Sequence, residues 1–167
     1  MTQNPGLRAW RASFVRRWHT HPDLAASGDT NAGHQQRTAL LVLHLHPDPS
    51  REMLIEALTH DQGEVGPGDV SGPAKRRNPD LATMVAFYEA EEIREQGLRE
   101  TGLPDHEKRF VTMCDRLDAY LWMLHHNTRL AKRMDWHKSK VAILETSHEF
   151  GSAVMGKVER ILAAAEA

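Results

Sequence analysis

Residues 105–133 read DHEKRFVTMCDRLDAYLWMLHHNTRLAKR, a stretch without glycine or proline. Phe110, Met113 and Cys114, Leu117, Leu121 and Leu124 recur at intervals of three and four within it. That period lays one apolar stripe along an α-helix; a strand would alternate instead. The spacing predicts a long helix over 105–133, with Asp115 one position beyond its core stripe. Working outward, Leu144, Val154, Val158, Ile161 and Leu162 keep helical register and predict a last helix from about Lys138 to the end. On the other side, Thr101-Gly102-Leu103-Pro104 is a break. Before it, Asn78 caps a helix that starts at Pro79 and runs to about Glu100.

Upstream lies GEVGPGDVSGPAKRRNP, residues 63–79, whose glycine and proline content predicts a loop with no regular element. Loops of that length in compact domains are often functional. Ser50 caps a helix through His60, after the turn His46-Pro47-Asp48-Pro49. Asn31 caps a helix from Ala32 to about His46, and its run Ala39-Leu40-Leu41-Val42-Leu43 predicts burial on most sides. Leu7 to His19 reads as a first helix with Trp10, Phe14 and Trp18 on one side. No alternating run bounded by hairpin turns occurs. The expectation is an all-α bundle of about six helices forming a single domain over residues 1–167.

Composition bounds the chemistry. The chain has 167 residues, with 21 Lys and Arg against 23 Asp and Glu, a formal charge of -2. That balance provides no basic stripe for binding nucleic acid. The longest apolar run, Ala39 to Leu45, is far short of a bilayer span, and the first residues lack the apolar core of a signal peptide. No membrane partner is expected, and the chain reads as cytoplasmic. One cysteine, Cys114, excludes an internal disulfide and any multi-cysteine zinc site. Histidine is in excess: the 11 His outnumber all Trp, Tyr and Phe together. A metal would therefore be held by imidazole and carboxylate.

Three separate elements offer such donors. His34 lies near the start of the second helix, His60-Asp61 end the third, and Asp115 lies within the long helix. This mixed nitrogen and oxygen set suits one divalent transition metal (Co, Mn, Zn, Fe or Ni) with positions open to water or substrate. Such an ion can polarise a phosphoryl oxygen and lower the pKa of water. Each donor also has a plain reading, as a surface histidine or a solvated or capping aspartate. Glu64 falls one turn beyond His60 if the helix persists, and is the candidate general acid/base; otherwise it is an exposed loop glutamate. Asp69 follows glycine and reads equally as a turn residue. Arg17 and Lys75 are candidate phosphate contacts, with Lys75 also readable as part of a solvated basic loop with Arg76 and Arg77. Asp118, one turn from Asp115, reads as support for a ligand or as a surface residue.

The order of these residues carries more than any one of them. Arg17-Trp18, His34, His60-Asp61-Gln62-Gly63-Glu64, Gly68-Asp69, Pro73, Lys75 and Asp115-Arg116-Leu117-Asp118-Ala119-Tyr120-Leu121 follow one another along the chain. This resembles the HD-domain metal-dependent phosphohydrolases, and among them the bacterial 5'-deoxynucleotidases. The ten residues HDQGEVGPGD, 60–69, match that group's extended pattern H-D-x-x-E-V-x-x-G-D. The resemblance covers about residues 14 to 122. It implies a single HD-domain bundle with His34, His60, Asp61 and Asp115 as metal ligands and Glu64 in acid/base work. It also implies Asp69 near the sugar or attacking water, and Trp18 against the sugar, where its bulk disfavours a 2'-hydroxyl. Arg17 and Lys75 would hold phosphate.

The implied reaction takes a deoxynucleoside monophosphate to deoxynucleoside and phosphate, in a homo-oligomer, dimer or larger. A compact group of viral dATP triphosphohydrolases shares much of the pattern. It implies instead release of tripolyphosphate, a second Mg-like ion beside the triphosphate, and residence in a host cytoplasm. A non-catalytic nucleotide-binding HD module is a further alternative. Two features depart from the family: Gly33 stands where an acidic residue often precedes the first histidine, and HTHPDLAASGDTNAG, 19–33, matches nothing in it.

Overall fold

The computed structural model describes residues 4–99 and 101–167. Among these the chain is all-helical, with no strand beyond an isolated bridge between Arg16 and Thr30. The described residues form eight α-helices where about six were expected: α1 (Pro5–Ala12), α2 (Asn31–Leu45), α3 (Arg51–Thr59), α4 (Gly72–Arg77), α5 (Pro79–Glu95), α6 (Asp105–Asn127), α7 (Met134–His148) and α8 (Ser152–Glu166). Two 3₁₀ turns, Gln62–Val65 and Thr128–Lys132, complete them.

The two extra helices have local causes. The expected last helix is two, because Gly151 takes φ +89 between α7 and α8. That left-handed conformation suits glycine and ends a helix. The expected loop 63–79 contains both a 3₁₀ turn and α4, which starts at Gly72-Pro73, where proline fits a first helical turn. The long helix stops at Asn127, and its expected last residues form the second 3₁₀ turn. Helix α5 ends at Glu95, short of Glu100, as Gly97 turns to φ +69.

Several expected caps are present. Asn78 Oδ1 accepts from Leu81 N at 3.1 Å, and Ser50 Oγ accepts from Met53 N at 3.1 Å. Each such cap contributes about 1 kcal/mol. Asn31 does not cap α2 but is its first residue. Thr30 Oγ1 accepts from Gly33 N at 3.4 Å instead. Nor is α2 buried on most sides. Ala39, Val42 and Leu45 are buried, whereas Leu40 and Leu43 are 56% and 52% exposed.

The chain divides into two compact units, each made from two separate segments. The first takes residues 4–33 and 59–99. Its buried members include Ala12, Leu24 and Val85. The 3₁₀ turn packs on α5, so closely that a Cβ on Gly63 would stand 2.5 Å from the Glu89 carbonyl oxygen. Helix α1 is tied to α5 by Arg8, whose Nε and Nη2 donate to Glu92 at 2.7 and 2.6 Å.

The second unit takes residues 34–58 and 101–167, with α6 at its centre, packed on α7 and α8. The expected stripe is its core. Phe110, Met113, Cys114, Leu117 and Leu124 are buried, only Leu121 being partly exposed. Val42, Met53, Ala57, Ile143, Val154, Val158 and Leu162 add to that core. Burying each Val, Leu, Ile, Phe or Met side chain among them contributes about 1.5–3 kcal/mol.

Candidate functional site

In the first unit the expected helix 7–19 stops at Ala12, because the residues after it make other backbone bonds. Arg17 N donates to the Asp29 carbonyl at 3.1 Å, and Asn31 N donates to Val15 at 3.0 Å. The segment 15–31 is thereby closed into a loop, and Trp18 sits at φ +63 within it. A left-handed conformation costs a tryptophan about 1–3 kcal/mol and is kept only where surroundings over-determine it. Here they do. The Trp18 backbone N–H donates to Asp69 Oδ2 at 3.2 Å, and its indole Nε1 donates to Asp29 Oδ2 at 3.1 Å. The Arg17 guanidinium lies 5.6 Å from the indole centroid.

Arg17 also reaches Asp61, with Nη1 donating to Oδ2 at 2.7 Å, and lies 3.6 Å from Asp29 through Nε. His60 Nε2 lies 3.5 Å from Asp61 Oδ2. The Asn31 amide donates twice, to the Asp61 carbonyl at 3.0 Å and to Glu64 Oε2 at 2.9 Å. Glu64 is therefore no exposed loop residue; it is 6% exposed. Burial, with the charges of Asp61 and Asp69 added, pushes its carboxyl up to about 8, against the opposing bond from Asn31 and the charge of Arg17. Lys75 Nζ stands 3.6 Å from Glu89 Oε1. Burial raises the Glu89 carboxyl, Lys75 opposes this, and the charges of Asp61 and Asp69 add to it. This unit thus gathers Asp61, Glu64, Asp69 and Glu89 with Arg17 and Lys75: acids crowded enough to repel, with two cations among them.

In the second unit His34 is fully buried between two carboxylates. Its Nδ1 meets Asp118 Oδ2 at 2.6 Å, and its Nε2 lies 3.1 Å from Asp115 Oδ1. The two aspartates are one turn apart on α6 but differ in situation. Asp118 is 3% exposed and takes a fork from Arg37, Nε to Oδ1 at 2.7 Å and Nη2 to Oδ2 at 3.1 Å. Burial works to lift its carboxyl, but the bonds from His34 and Arg37 outweigh burial and hold it below the usual range. An ionised carboxylate only accepts, so His34 Nδ1 is the donor and Nε2 faces Asp115. The Asp115 side chain is one-third exposed.

No family model, curated protein or solved structure matches this chain.

Asn31, Asp29, Glu89 and Arg37 were not singled out as site residues by the sequence. For Asn31 a signal existed: it stands three positions before His34, a helical turn along the sequence. Arg37 had a weaker one, following His34 by three on the same helix. Of the remaining histidines, His44, His125 and His126 are exposed, as surface residues would be. Among the described residues no helix is long and apolar enough to cross a membrane.

Proposed function

We propose that this chain is an HD-domain, metal-dependent hydrolase of deoxynucleoside 5'-phosphates, with His34, His60, Asp61 and Asp115 as ligands of one divalent ion. The observation that carries the reading is the state of His34. A buried imidazole with Nδ1 tied to a carboxylate and Nε2 turned to a second carboxylate has the arrangement that metal-bound histidines adopt. The 3.1 Å between Nε2 and Asp115 Oδ1 also fits two donors on one ion, since adjacent octahedral ligands at ~2.1 Å are about 3 Å apart. The crowding of Asp61, Glu64, Asp69 and Glu89 supports it too, because mutually repelling carboxylates favour a cation among them.

A divalent ion bound there would polarise a phosphoryl oxygen and make water more acidic. The chain's own residues do the rest. Arg17 and Lys75 hold phosphate oxygens, Arg17 through its planar fork and Lys75 as a point charge. Trp18, pinned by Asp29 and Asp69, lies against the sugar. As the water oxygen bonds to phosphorus and the ester bond to the 5'-oxygen breaks, Glu64 takes the water proton and passes one to the leaving oxygen. Buried and held by the Asn31 amide, the Glu64 carboxyl is shielded from bulk water as it exchanges those protons. The near-neutral charge of the chain favours a free nucleotide over a polymer.

The test is one panel. Protein loaded with Mn or Co is incubated with dNMPs, dNTPs and ribonucleotides, and the products are separated. Orthophosphate and deoxynucleoside from dNMPs are expected. Tripolyphosphate from dNTPs would replace the monophosphate reading, and no turnover on the full panel would overturn hydrolysis.

A further inference from the structure

The contacts around Asp118 exceed what a helix needs for packing. Its two oxygens accept three hydrogen bonds, one from His34 and two from Arg37. The Arg37 guanidinium lies 4.3 Å from the Trp122 ring centroid, one turn further along α6. The series His34, Asp118, Arg37, Trp122 is continuous and lies within one unit. Each member limits the next. The Trp122 face keeps the guanidinium flat, the flat guanidinium fits both carboxylate oxygens, and the fixed carboxylate leaves His34 one ring orientation. Both Asp118 oxygens already accept from His34 or Arg37 and the side chain is buried, which suits support more than ligation. We propose that Asp118 is the positioning residue that aims His34 Nε2 at the metal, and that Arg37 stacked on Trp122 keeps Asp118 aligned.

This rests on the metal reading, and it deepens that reading by separating two aspartates one turn apart into ligand and support. Asn at 118 would turn an amide N–H toward a donor, either His34 Nδ1 or Arg37, and lose the charge that attracts both. Lys at 37 would keep the charge but lose the fork and the stacking. Phe at 122 would keep an aromatic face, while Leu would not.

The experiment is titration of the chelator-stripped full chain with Mn²⁺ by calorimetry, with thermal melts of each metal-free variant by circular dichroism. Asp118→Asn is expected to bind Mn²⁺ about 10- to 100-fold more weakly, the usual effect of losing such a partner. Arg37→Lys and Trp122→Leu should weaken binding by smaller factors, and Trp122→Phe should restore wild-type affinity. Wild-type affinity in a folded Asp118→Asn overturns the inference. Should that variant fail to melt cooperatively, Arg37→Lys and Trp122→Leu decide: weakened binding upholds the inference, and wild-type affinity in both overturns it. His34→Ala tests the metal reading separately. If it binds Mn²⁺ as tightly as wild type, the ligand set itself is wrong, whatever the Asp118 variants do.

Discussion

Glu64 shows what burial does to a single residue. Its folded carboxyl titrates near 8, above the ordinary glutamate value, so between about 4.5 and 8 the folded chain holds a proton that the unfolded chain has released. Stability must therefore fall as pH rises through that window. Glu64→Gln removes the effect, so metal-free Glu64→Gln should gain stability over wild type progressively from pH 5 to pH 8 in urea unfolding. The same variant should lower kcat about 10²- to 10⁴-fold while leaving the metal content of the loaded protein unchanged, as measured by metal analysis. Residue by residue, the sequence was legible as to which loop acid is buried. HDQGEVGPGD marked Glu64 as more than a loop acid, and the structure buries it. It was not legible where two like residues differ only by distant neighbours. Asp115 and Asp118 look alike on α6, and what separates them is Arg37, about eighty positions away.

The elements obey short-range rules, and there the sequence read well. Asn78 before Pro79 and Ser50 before α3 are local signals, and each is a cap. Asn78→Ala should cost about 1 kcal/mol in chemical denaturation, with activity unchanged. The errors came where one residue could be tolerated or decisive. Gly151 sits inside an unbroken apolar register, and only its φ shows that the helix ends there. The Gly- and Pro-rich stretch 63–79 reads as loop because punctuation outweighs pattern in so short a span, yet α4 forms within it. Gly63 has a second role, in packing. A methyl group there would meet the Glu89 backbone, which cannot swing aside as a side chain end can. Gly63→Ala should destabilise by about 1–3 kcal/mol, read as a lower midpoint in urea, and should reduce turnover because Glu64 follows it directly and Asp61 lies two residues before.

For the whole molecule the testable quantity is linkage to metal. If the folded chain alone binds the ion, Mn²⁺ at 100 times its Kd should raise stability by about 2.7 kcal/mol. A chelator should reverse the gain, and His34→Ala should abolish it; thermal melts with and without Mn²⁺ measure this. The all-α class and the central helix were readable from periodicity, because burial imposes its period on any helix it covers. The division into units was not, because it depends on which segments meet across long separations.

That division has a consequence for synthesis. Residues 34–58 carry Val42, Leu45, Met53 and Ala57, all buried, in a unit whose other segment starts at residue 101. At ~5–20 residues per second the ribosome needs about 3–14 s to make that partner stretch. Throughout that interval the nascent chain displays a greasy α2–α3 segment while the first unit is already complete in sequence. Chains stalled on the ribosome once residue 100 has cleared the exit tunnel should therefore cross-link to a chaperone that binds apolar surface. Release of the full-length chain should end the cross-link.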